Sequence, residues 1–185
     1  MIVPDPVPPP GIAVLDILPT DQFVAAVSPL FEGAPSFLTR LAAARPFGSY
    51  AGMFAGARAI AHSMPEREQI ELVDAHPRLG APPGSVSPLS YREQGYDRDG
   101  ATQAAEAERA RVAAELDRLN DAYEARFGFR YCTFVAGRPR SALIEPLAAA
   151  LRADRDQELG RALDAVVDIA EDRYRMLSRN VGTPA

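Results

Sequence analysis

The sequence predicts an all-α fold, a single multi-helix, bundle-like domain with a Pro/Gly-rich loop in its middle. Three observations carry that expectation. Apolar residues recur at spacings of three and four, as in Val112, Leu116, Leu119 and Tyr123, which places them on one helical face. Residues that start or stop helices punctuate these runs. And 185 residues that are 47% hydrophobic and 24% charged suit one domain with one sizeable core.

The elements follow in order. Residues 1–19 carry Pro4, Pro6, Pro8, Pro9, Pro10 and Pro19, the mark of an extended or disordered lead-in outside the core. Thr20 can cap a helix bearing Phe23, Val24, Val27 and Leu30. A second helix carries Phe37, Leu38 and Leu41 and ends before Pro46. Ser49 can cap a third, with Met53, Ala57, Ile60 and Ala61 on one side. Pro65 suits the first turn of a fourth, with Glu66 and Glu68 at its positive end and Ile70 and Val73 on its apolar face. Residues 81–100 read as loop with one helical turn at "SYREQ", and residues 101–126 as a long charged helix. "FGFRYCTFV" is aromatic and β-branched enough to be extended. Two helices close the domain, Ser141–Leu151 and Asp156–Leu177, the last with Leu159, Leu163, Val166, Val167 and Ala170 inward. The domain thus spans 20–179, and 180–185 is a frayed tail.

Composition excludes several functions. A net charge of −5 argues against nucleic-acid binding. All 20 basic residues are arginine, so no lysine can form a Schiff base or hold pyridoxal phosphate, and no GxxxxGK[ST] loop exists. Cys132 is the one cysteine, which rules out an intrachain disulfide and a Cys cluster for zinc. Set in "FRYCTFV", it reads as a buried residue. No stretch approaches the roughly 20 apolar residues of a membrane span, and the start lacks a signal peptide's pattern. The expectation is a soluble cytoplasmic protein.

Only His62 and His76 have ordinary pKa values near neutrality. His62, in "AIAHSMPE", sits near a helix C-terminus and fits a role at the dipole or the last carbonyls. His76, in "DAHPRLG", precedes Pro77, which discourages helical geometry at the histidine. The imidazole therefore projects from a turn that Gly80 can close. It is either a satisfied structural histidine or a catalytic one. "SYREQ" has two readings as well. Ser90 and Glu93 make a capping box, or Ser90, Glu93 and Gln94 meet a small polar ligand from a loop-borne helical turn.

"HPRLG", "SYREQ" 14 residues after His76, "NDAYEARFGFRY" and a last helix opening on "EL" occur in an order that resembles the 2-oxo-4-hydroxy-4-carboxy-5-ureidoimidazoline (OHCU) decarboxylase family, over roughly residues 20–178. The resemblance implies an all-helical enzyme of urate degradation that needs no cofactor or metal and yields (S)-allantoin and CO2 from a small-molecule substrate. It places catalysis on His76 and Glu93 and substrate binding on Pro77, Ser90, Gln94 and Arg173, with Arg175 as a rival for the last. It adds main-chain contacts near Tyr131–Phe134. It leaves a homodimer open. Two departures stand out. Arg130 occupies a position where the family often has proline, and Ala150-Leu151-Arg152-Ala153 stands where an Arg-Leu-x-Asn sequence is common. Two alternatives remain: a lyase or hydrolase for a related ureide, and an inactive helical interaction module.

Overall fold

Helix boundaries follow the local chemistry of the chain closely. The computed structural model of the protein describes residues 7–96 and 103–180. Among the described residues there are nine α-helices and no strand: α1 (Ile12–Leu15), α2 (Thr20–Val27), α3 (Pro35–Ala43), α4 (Tyr50–Ser63), α5 (Glu66–Asp74), α6 (Pro88–Glu93), α7 (Gln103–Phe127), α8 (Ile144–Ala150) and α9 (Arg155–Asn180). Short 3₁₀ turns occupy Ser28–Leu30, Pro83–Ser85 and Arg140–Leu143. The all-α expectation holds.

Ser49 caps α4 as expected, its Oγ accepting from the Gly52 N–H at 2.9 Å. Glu66 and Glu68 lie in the first turn of α5, but Pro65 is its N-cap and not its first residue. Thr20 is likewise the first residue of α2, after Pro19, and no side chain caps that end. Its hydroxyl instead accepts from Arg45 at 3.4 Å. The aromatic segment at 130–135 is irregular and pairs with no strand. The expected starts and ends at 97–102 and 181–185 lie outside the described residues.

The lead-in needs correction. Residues 12–15 form α1, and Leu15 is fully buried. Asp16 then accepts from the Phe47 and Gly48 N–H groups, both at 2.9 Å, and Arg45 donates to the Leu18 carbonyl at 2.6 Å. Proline content marks where a chain cannot be helical, but one apolar side chain between prolines can still enter a core.

Helix α9 is the spine. It packs against α4, α5 and the Ser28–Leu30 turn, while α3 bridges α2, α4 and α5, and α8 pairs with α7. Leu159, Leu163, Val166, Val167 and Ala170 of α9 are buried, as are Val112, Leu116, Leu119 and Tyr123 of α7. Each large apolar side chain so buried stabilises the fold by about 1.5–3 kcal/mol over an exposed one. The loop after α5 is fastened to α7. Gly80 has φ +80°, a conformation that favours glycine, and a Cβ there would lie 3.1 Å from the Leu116 side chain, which would have to give way. Asn120 donates to the Leu79 carbonyl at 2.9 Å, and Arg78 pairs with Asp121 at 2.6 Å. No helix among the described residues is long and apolar enough to cross a membrane.

Candidate active site

Helix α5 stops at Asp74, and Pro77 keeps the chain from continuing it. The His76 ring turns back onto its own helix, Nδ1 lying 3.3 Å from the Leu72 carbonyl. A carbonyl only accepts, so Nδ1 carries the proton and Nε2 keeps its lone pair. That Nε2 is buried and has no hydrogen-bond partner among the described residues. The histidine is only 4% exposed. Burial and the Arg173 charge lower its pKa to about 4, against the opposing pull of Glu32 and the Leu72 carbonyl. The imidazole is neutral at pH 7.

Helix α6 begins one turn earlier than a box at Ser90 requires. Ser87 is the N-cap, accepting from the Ser90 N–H at 3.2 Å, with Pro88 in the first turn. Ser90 is not a cap. It is inside the helix, 2% exposed, and its hydroxyl donates to Glu32 at 2.7 Å and accepts from Arg173 at 3.0 Å. Gln94 closes the loop onto α6, its Oε1 accepting from the Gly80 N–H at 2.7 Å and its Nε2 donating to the Arg78 carbonyl at 3.4 Å.

Arg173, on α9, is fully buried. It forms a fork with Glu93, Nε to Oε1 at 2.5 Å and Nη2 to Oε2 at 2.8 Å. Nη1 donates to the carbonyls of Pro29 and Leu30 at 3.0 and 3.3 Å, and Nη2 also reaches Glu32 at 2.8 Å. Every nitrogen of the guanidinium is thus committed inside the protein.

These groups surround a cavity of about 560 Å³. His76, Pro77, Ser90, Glu93, Gln94 and Arg173 all line it, so the structure brings together every residue singled out for catalysis or substrate binding. Residues 131–137 form one wall, and Ile169 and Met176 of α9 supply apolar surface. Cys132 is buried in that wall, its thiol pushed up to about 12 by burial, which leaves it un-ionised. Arg175 does not line the cavity; it is exposed and pairs with Glu171. His62 is remote too. It meets Asp164 on α9 at 2.9 Å instead of the carbonyls of its own helix. Among the described residues no cluster of three His, Cys, Asp or Glu side chains could hold a metal ion.

Two participants were missed in the sequence. Glu32 accepts through one oxygen from Ser87 at 2.8 Å, Ser90 at 2.7 Å and Arg173 at 2.8 Å. Burial alone would raise its carboxyl, but Arg173, Ser90 and Ser87 outweigh burial and hold it below its ordinary value. Its backbone is left-handed, φ +52°, a conformation costing about 1 kcal/mol or more outside glycine. A carboxylate next to Gly33 in a turn was the available signal. Arg130 is the other. Its backbone N–H donates to Asp74 Oδ1 at 2.8 Å, and its Nη1 donates to the carbonyls of Asp74 at 2.7 Å and His76 at 3.1 Å.

Fold and site together define an all-helical protein with a small-molecule cavity whose acid–base groups include one neutral histidine, an arginine-paired carboxylate and Asp172. A family profile described as OHCU decarboxylase matches residues 16–175, and the chain belongs to that family. It is 30% identical over 162 residues to the uric acid degradation bifunctional protein PucL of Bacillus subtilis (strain 168), covering 88% of this chain but only 31% of PucL. It is 29% identical over 167 residues to the 2-oxo-4-hydroxy-4-carboxy-5-ureidoimidazoline decarboxylase of Haloferax volcanii, covering 84% of this chain and 89% of that protein. A crystal structure of OHCU decarboxylase in the presence of (S)-allantoin shares the fold with a TM-score of 0.62 at 20% identity, over 82% of this chain and 96% of that one.

Proposed function

We propose that the chain is a cytoplasmic, cofactor-independent decarboxylase that converts OHCU to (S)-allantoin and CO2, with residues 20–179 and the α1 segment packed on them as the catalytic unit. The observation that carries this reading is the buried His76 Nε2, unpartnered and beside the Glu93–Arg173 pair in the cavity.

The chemistry asks little more. The carboxylate of OHCU sits on a carbon next to an imine carbon. As the bond to CO2 breaks, its electron pair forms a carbon–carbon double bond and the imine pair moves to nitrogen, which takes a proton. The substrate is its own electron sink, so the task left to the protein is proton handling. His76 Nε2 takes the hydroxyl proton and returns a proton to one face of the new carbon centre, as base and then acid. An anionic substrate beside the imidazole favours its protonated form, which raises its pKa toward the working range. Glu93, held in a fixed plane by Arg173, is placed to accept from the ureido and ring N–H groups.

The test is the circular dichroism of allantoin formed from freshly generated OHCU. Wild-type protein should give the (S) enantiomer faster than spontaneous decay does. Racemic product at the spontaneous rate would sink the proposal. Activity should also survive dialysis against EDTA; loss that zinc or magnesium restores would overturn the cofactor-free part.

A further inference from the structure

We propose that Glu32, which does not line the cavity, is a positioning residue that withholds the Arg173 charge from the substrate's carboxylate. The inference rests on the decarboxylation reading and deepens it.

The buried cluster has one guanidinium and two carboxylates. Arg173 Nη2 meets Glu32 and Glu93 at the same distance, 2.8 Å. With His76 neutral, the cluster carries one net negative charge at the cavity floor. Were Glu32 absent, the two Nη2 hydrogens would still meet Glu93 and Ser90, but Arg173 would balance Glu93 alone, and its charge would no longer be over-neutralised where Arg173 and Ser90 line the cavity. An arginine so placed is a carboxylate clamp. A clamp on the departing group holds the ground state more tightly than the transition state, in which that charge is leaving for the ring, and so slows the step. Glu32 removes the clamp while keeping Arg173 where it orients Glu93. The other arginine lining the cavity, Arg92, is exposed, so water screens its charge.

The surroundings fit a purpose-built contact. The Ser87 and Ser90 hydroxyls and Arg173 converge on one Glu32 oxygen, and the chain accepts a left-handed backbone at a non-glycine residue to present it. A glutamine can keep a carbonyl oxygen at that point while removing the charge. Charge and shape can therefore be separated.

The experiment compares wild type with Glu32→Gln, measuring kcat and KM for OHCU and calorimetric affinities for two ureides, neutral (S)-allantoin and anionic allantoate. The expected result is that E32Q binds allantoate on the order of tenfold more tightly, leaves allantoin affinity within about twofold, lowers KM for OHCU and lowers kcat by on the order of tenfold. Unchanged or weaker allantoate binding by folded E32Q would overturn the proposal, as would a KM that rises while kcat holds. Should E32Q fail to fold, Glu32→Asp, which keeps the charge and suits a left-handed backbone, carries the test. It should retain wild-type discrimination between the two ureides, and loss of that discrimination counts against the role. A wild-type protein without turnover on OHCU would sink the decarboxylase reading alone, since the two affinities still decide the role of Glu32.

Discussion

At the scale of single residues, His76 carries two separable consequences. Asparagine fills much of the same space and hydrogen-bonds, but it cannot act as acid or base near pH 7. His76→Asn is expected to melt within a few degrees of wild type and to lose (S)-allantoin formation by on the order of 10²-fold or more. Near-normal turnover by the folded variant would end the mechanism. The second consequence is thermodynamic. A histidine in the unfolded chain titrates near 6.5, and burial followed by the Arg173 charge lowers folded His76 to about 4. As pH falls below about 6.5 the unfolded chain takes up a proton that the folded chain refuses. Stability contributed above that pH is therefore lost until about pH 4, on the order of 3 kcal/mol in all. His76→Asn should flatten this part of the melting curve between pH 4 and 8. Parallel curves for variant and wild type would show that another group titrates there.

At the scale of elements, α6 and the end of α5 decide the site's geometry. A six-residue helix is unstable alone, so its caps and anchors matter. Ser87→Ala removes the cap and one bond to Glu32, and should destabilise the protein by about 1 kcal/mol in chemical denaturation. Ser90→Ala should instead depress kcat, because it removes the cavity-side hydroxyl that bonds both Glu32 and Arg173. Equal effects of the two changes on activity would make Ser90 a structural residue only. The sequence held the right signal in Pro88 after Ser87, but the box spacing of Ser90 and Glu93 competed with it. Arg130 does for α5 what a C-terminal cap does, joining the Asp74 and His76 carbonyls. Arg130→Met should lower stability by about 1–2 kcal/mol and reduce kcat more than it raises KM, since the histidine's main chain loses its tether. A change confined to the melting temperature would make Arg130 structural only.

At the scale of the whole molecule, α9 joins the N-terminal helices to the cavity, and the segment before residue 20 belongs to the same core. Leu15→Ala is expected to cost about 2–5 kcal/mol, the range for a fully buried leucine. A loss under 0.5 kcal/mol in urea titration would mean that α1 is a detachable lead-in after all. The Glu93–Arg173 pair spans 80 positions and the Glu32–Arg173 pair 141, so any mutation that loosens α9 from α4 or α5 is expected to reduce turnover before it unfolds the protein.

Periodicity and punctuation act over a few residues, which is why the sequence by itself determined the helical class, the buried faces of α7 and α9, the glycine turn at Gly80 and the end of α5 before Pro77, whereas the burial of the His76 ring was decided by packing. The order of short motifs also pointed to the family and to His76, Pro77, Ser90, Glu93, Gln94 and Arg173, which line the cavity among others. Partner choice was decided only in three dimensions. The glycine after Glu32 marks a turn but not what its carboxylate meets, and nothing local tells that Arg173 is consumed by two carboxylates, a hydroxyl and two carbonyls while Arg175 faces solvent. Burial makes those pairings obligatory, because a guanidinium in the core must satisfy every donor it carries, and which acceptors arrive there depends on how α6, α9 and the Ser28–Leu30 turn pack.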